Sequence, residues 1–132
     1  MNCLIDTHVL IWAVKERKRL SRRAIDTLED PDNVIFVSAI TFWEISLKYS
    51  AGKLELRNIL PNQFPGASVD MGFQLLSLSP ADSASFHELI LTDHKDPFDR
   101  MLLWQAIQHN LMFITNDDRI DQYKIAGLKT LW

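Results

Sequence analysis

The chain is poor in the features that mark several protein classes. Its 132 residues include a single cysteine, Cys3, which excludes a disulfide framework and a thiolate metal site. Cys3 lies in an apolar stretch and reads as a small core residue. No apolar run approaches the ~20 residues of a membrane span. The start, Met1-Asn2-Cys3-Leu4-Ile5-Asp6, has no basic region, long apolar region or cleavage site, so the expected location is cytoplasmic. There is no Gly-rich phosphate loop, no internal repeat, no low-complexity tract and no dividing linker. One domain over residues 1–132 is the expectation. Positive charge is also scarce. Against 17 acidic residues there are 14 basic ones, a formal charge of −3, which argues against a surface coated for non-specific nucleic-acid binding. One local cluster remains, Lys15, Arg17, Lys18, Arg19, Arg22 and Arg23. It reads as a solvated loop and helix start, or as a grip for phosphates.

What the chain does have is a regular alternation of strands and helices. Cys3 to Ile5 reads as a short buried strand, and Val9 to Val14 as a helix. Ser21 is the natural N-cap of a second helix with Ala24, Ile25 and Leu28 as its apolar stripe. Val34 to Ser38 is a β-branched and aromatic strand, followed by a helix from Ile40 to Tyr49 that Gly52 stops. Lys53 to Gly72 has the weakest pattern and reads as a turn, a small helix and a loop. A strand over Phe73 to Leu78 leads into a helix from Ser79 that carries Ala84, Phe86, Leu89 and Ile90. Asp96 caps a long apolar helix with Pro97 at its first position, and Asn110 ends it. Leu111 to Thr115 and Gly127 to Trp132 supply the last strands. This order predicts an α/β fold, a central parallel sheet covered on both faces.

Carboxylates fall at revealing places on that plan. Asp6 follows the first strand, Glu44 lies one turn into the helix after the second, Asp99 sits in the first turn of the long helix, and Asp117 follows the Leu111 to Thr115 strand. In a parallel sheet these ends share one edge, where sites are built. Each acid also has a local role open to it. Asp6, Asp96, Asp99 and Asp117 can cap helices, Thr41-x-x-Glu44 has the spacing of a capping box, and Glu44 can pair with Lys48. Capping predicts nothing about a shared location, whereas a site does. Four crowded carboxylates would repel one another. A hard divalent cation, Mg²⁺ or Mn²⁺, removes that penalty and makes a phosphodiester the natural substrate.

Four blocks, in order along the whole chain, carry a resemblance. Leu4-Ile5-Asp6-Thr7-His8, Val37-Ser38-Ala39 leading to Trp43-Glu44-Ile45, His94-Lys95-Asp96-Pro97-Phe98-Asp99-Arg100 and Ile114-Thr115-Asn116-Asp117 resemble the signature blocks of PIN-domain ribonucleases, most closely VapC-type toxins. The resemblance implies a three-layer α/β/α PIN-like domain. It also implies a metal-dependent endoribonuclease acting on RNA, inhibited by a small cognate antitoxin and commonly a homodimer. By position, Asp6, Glu44, Asp99 and Asp117 would be the acidic set, with Asp6 and Asp99 on the metal. Thr7, Ser38 and Thr115 would support it by hydrogen bonding. Asp96 is close enough to join, and the last block offers Asp117, Asp118 and Asp121. His8, His87, His94 and His109 lack zinc-binding spacing; His94 reads as a solvated surface residue, and with Arg100 it flanks the acidic stretch, where either could touch a phosphate. Trp12, Trp43 and Trp104 read as packing residues, and Trp132 as a cover for the core.

Two other readings compete. A haloacid-dehalogenase-like phosphatase also ends a strand with an Asp, but it wants a second Asp where this chain has His8. A catalytically silent PIN-like binding module would use the acids only as caps, and the filling of all four positions argues against it.

Overall fold

Strand residues here alternate between two cores. Cys3 and Ile5 of β1 (Asn2–Ile5) face one side while Leu4 faces the other, the period of two that a pleated strand imposes. The structure is a computed structural model that describes all 132 residues, Met1–Trp132. With β1, the strands β2 (Val34–Ser38), β3 (Gln74–Leu76), β4 (Met112–Ile114) and β5 (Lys129–Leu131) form one sheet in the order β3-β2-β1-β4-β5. Every pairing is parallel. Helices cover both faces, as the sequence led us to expect.

On one face lie α1 (Thr7–Lys15) and α2 (Arg22–Glu29), which contribute Val9, Leu10, Ala13, Ala24 and Leu28. Ile45 of α3 (Ala39–Ser50) and Phe64 of α4 (Phe64–Asp70) complete that core. On the other face α6 (Pro97–Gln108) lays Leu102, Leu103 and Ala106 against Leu4 and Phe113. Each fully buried Leu or Phe of this kind stabilises the fold by about 1.5–3 kcal/mol relative to exposure. No helix is long and apolar enough to cross a membrane.

Helix boundaries follow local chemistry. The Ser21 side chain caps α2 at Ala24 N (3.0 Å), and Asp96 caps α6 at Phe98 N and Asp99 N (2.9 and 3.2 Å). Gly52 follows α3 with a φ of 72°, a conformation that favours glycine. Two expectations fail. The cap of α3 is Ser38, bonded to Ile40 N at 3.0 Å. The Thr41–Glu44 capping box does not form, because Thr41 turns inward to Thr7 Oγ1 at 3.1 Å. The helix after Ser79, α5 (Pro80–Ser85), stops before Phe86. The Trp104 indole donates to the Asp82 carbonyl oxygen (3.2 Å), which a continuing helix would have offered to Phe86 N. A 3-10 turn over Phe86–Glu88 follows instead.

One buried polar contact joins the sheet to α6. Ser38 Oγ donates to Gln105 Oε1 at 2.5 Å, and both residues are fully buried. Ser38→Ala removes this bond and the α3 cap together, leaving a buried acceptor unpaired. Denaturant unfolding should show a loss of about 2–4 kcal/mol; a loss below 1 kcal/mol would mean that Ser38 does not tie these layers together.

Candidate active site

Chain order explains where a site can form. From β1 the chain moves outward through β2 to β3, then returns to place β4 on the other side of β1. The crevice between β1 and β4 at their C-terminal ends is therefore the switch point of the sheet. Asp6 emerges from β1 and Asp117 from just beyond β4. Glu44 and Asp99 project from α3 and α6, which pack against each other. Four separate segments thus deliver one acid each to one edge.

Asp6 is held on both oxygens. Oδ1 accepts from Thr7 N at 2.7 Å and Oδ2 from Thr115 Oγ1 at 2.8 Å. It is 5% exposed, and burial pushes its pKa up although Thr115, His8 and Thr7 oppose the shift. Glu44, also buried, accepts from Thr7 Oγ1 at 2.6 Å and pairs with Lys48 through its other oxygen. Burial lowers the proton affinity of Lys48, but the bond to Glu44 and the charges of Glu44, Asp96 and Asp99 outweigh it.

Asp99 is crowded by all the other acids of the site. Burial, followed by the charges of Asp6, Asp96, Glu44 and Asp117, pushes its pKa up to about 7. The acids are close enough to repel, and the repulsion centres on Asp99. Asp117 is moved the other way, below the usual carboxylate range, mainly by Arg119. That guanidinium grips Asp117 with Nη2 at 2.6 Å from Oδ2 and reaches 3.8 Å from Asp99 Oδ2.

Several expected roles change. His94 is 8% exposed rather than solvated, with Nε2 at 3.3 Å from Asp99 Oδ2. Sequence reasoning named it beside the acidic stretch but read it as solvated, since a lone histidine beside a charged run carries no burial signal. Arg100 turns away from the acids, donating to the Ile90 carbonyl oxygen and lying over the Phe86 ring. Ser38 bonds to Gln105 and touches no carboxylate. Thr7 and Thr115 do bond to acids. Asp118 and Asp121 are exposed and line a neighbouring cavity of about 310 Å³ with Arg23, Lys124 and Asp117. Trp104 is buried and Trp132 meets Trp12 edge-on, whereas Trp43 is 58% exposed beside Phe98. Within the basic stretch, Arg17 pairs with Glu29, Arg22 with Asp26, and Arg19 lies over the Trp12 ring.

A family model, described as PIN domain, matches residues 3–126. The chain belongs to the PIN domain family. Its sequence is 26% identical over 129 residues to Ribonuclease VapC22 of Mycobacterium tuberculosis, covering 98% of this chain and 97% of that protein. The fold is similar to that in the complex of VapBC2 from Rickettsia felis bound to a promoter DNA fragment, with a TM-score of 0.68, 17% identity and coverage of 99% and 98%. FitAcB from Neisseria gonorrhoeae matches with a TM-score of 0.65 and 20% identity over 100% of this chain and 97% of that one. The PIN fold puts the acids of this chain at its sheet edge.

The donor set is chemically apt for a hard divalent cation: oxygen-rich, buried, and destabilised by its own charge. Because the folded Asp99 pKa of about 7 exceeds the ordinary aspartate value of 3.8, the folded state holds a proton that the unfolded chain releases. The resulting stability is complete below pH ~4 and is lost as pH rises through ~7. Metal-free protein should therefore lose stability between pH 4 and 7 relative to Asp99→Asn. At pH 8 the variant should be the more stable, by about 1–3 kcal/mol. Denaturant midpoints across that range check this; parallel curves for the two proteins would refute the crowding.

Proposed function

We propose that the chain is a divalent-metal-dependent endoribonuclease and the toxin of a toxin–antitoxin pair. One observation carries the reading: acids from four segments meet at the switch point of a PIN fold, where burial and then their mutual repulsion drive Asp99 to a pKa of about 7. Asp6 and Asp99 would hold the ion, joined by Asp117, with Glu44 and Asp96 nearby. Mg²⁺ or Mn²⁺ supplies a water of lowered pKa and offsets negative charge on the phosphate oxygens.

The remaining work falls to the chain. Thr115 and the Thr7 amide fix both oxygens of Asp6, so this carboxylate needs no reorientation as charge develops. Thr7 also fixes Glu44, whose second oxygen is held by Lys48. Glu44, so held, would orient the attacking water. The exposed Arg119 is free to leave Asp117 for a phosphate, and Arg23 and Lys124 line the adjoining cavity along which a strand can run. Likeness to VapC22, a ribonuclease by name, supports RNA as substrate. Likeness to chains of VapBC and toxin–antitoxin complexes supports an antitoxin protein as partner; the homodimer implied by the signature blocks belongs to the same proposal.

The test is cleavage of single-stranded and structured RNAs by partner-free protein with Mg²⁺, Mn²⁺ or EDTA. Asp6→Asn and Asp99→Asn should each lower cleavage at least ~100-fold, and EDTA should abolish it. Cleavage that survives EDTA or both substitutions would overturn the metal reading. Intact RNA throughout, alongside tight RNA binding, would favour the silent binding module.

A further inference from the structure

Tyr123 is fully buried and stands edge-on to the His94 ring, with centroids 5.8 Å apart and planes at 68°. Its hydroxyl lies 3.3 Å from His94 Nδ1, 3.3 Å from the His94 carbonyl oxygen and 2.7 Å from Thr92 Oγ1. Thr92 Oγ1 in turn accepts from His94 N at 3.1 Å. The ring is thus clamped at one nitrogen and from behind, and only Nε2 faces the acids. That nitrogen and one oxygen each of Asp99 and Asp117 all lie within 4.8 Å of one another.

The clamp bears on the tautomer. When the Tyr123 hydroxyl donates to the His94 carbonyl, its oxygen is left to accept from Nδ1–H. Nε2 then presents a lone pair to the carboxylates. Two acceptors 3.3 Å apart, Nε2 and Asp99 Oδ2, call for a cation between or beside them. Metal-bound histidines are held in this way, by a partner on the second nitrogen that fixes ring and tautomer. In the alternative tautomer Nε2–H donates to Asp99, and His94 only steadies that carboxylate.

We propose that His94 is a metal ligand through Nε2, together with Asp99 and Asp117, making the centre a mixed nitrogen–oxygen site that prefers Mn²⁺ to Mg²⁺. The inference rests on the metal-dependent reading above and adds to it the identity of a ligand and of the ion. Imidazole nitrogen suits transition ions, whereas Mg²⁺ favours oxygen and keeps its water. Arg119 must swing off Asp117 as the ion enters, and its side chain, 66% exposed, has the freedom to do so.

Electron spin echo envelope modulation of the Mn²⁺-loaded wild-type protein reads the ligand directly. A ¹⁴N coupling from a bound imidazole is expected, and it should vanish in His94→Gln. Calorimetric titrations should show His94→Gln weakening Mn²⁺ about 10- to 100-fold, with Mg²⁺ affected severalfold less. Tyr123→Phe keeps the ring and removes the clamp; it should weaken Mn²⁺ binding less than His94→Gln while leaving the nitrogen coupling detectable. Mn²⁺ bound at a single site with no ¹⁴N coupling in the wild type would overturn the proposal and leave the nuclease reading standing. Failure of any divalent ion to bind would overturn both.

Discussion

Like-charge crowding at the C-terminal edge of the sheet is the constraint on which the rest of the structure turns. Asp6, Glu44 and Asp99 are all nearly buried, where an unpaired carboxylate is costly. Folding accepts this because each acid receives polar company from nearby side chains or amides. Thr7 and Thr115 serve Asp6, Thr7 and Lys48 serve Glu44, and His94 and Arg119 approach Asp99. The compensation is uneven. Asp6 and Glu44 are bonded on both oxygens, while Asp99 is left with two long contacts and a pKa pushed up to about 7 by burial and by its acidic neighbours.

That unevenness follows from topology. Asp6 lies beside the paired ends of β1 and β4, where strand chemistry supplies donors: the Thr7 amide at the start of α1 and the Thr115 hydroxyl just past β4. Asp99 stands on α6, whose cap is already supplied by Asp96. The first-turn amides of α6 are directed to Asp96, so Asp99 gains little from them. The helix that places Asp99 at the site also withholds its own donors from it.

Much of this was readable from residue order. Strand-helix alternation gave the parallel sheet, since β-branched runs and caps recur with the right spacing, and the four acids stood at the ends of those runs. What escaped was long-range. Thr41 and Glu44 fit a capping box by spacing, yet Thr41 bonds to Thr7, 34 residues away in the chain. α5 ends early because an indole 22 residues away takes the Asp82 carbonyl. His94 is buried by Tyr123, 29 residues away. Periodicity and capping rules read neighbours within a turn or two, and none of these partners is within that range.

The two cations at the site differ in a way that matters for chemistry. Lys48 reaches Glu44 from one turn further along α3, its amine also 5.9 Å from the Phe98 ring, so helix geometry ties the pair together. Arg119 belongs to the 3-10 segment Asp118–Ala126, and its contacts are made by an exposed side chain. Lys48 is therefore a fixed part of the site's charge, whereas Arg119 is a replaceable one. A fixed cation on Glu44 keeps that carboxylate oriented without consuming the charge of an incoming ion. A replaceable cation on Asp117 shields the acids until something more highly charged arrives. The same arrangement leaves a phosphate-binding group at the rim once it is displaced, which is where a substrate backbone would meet it.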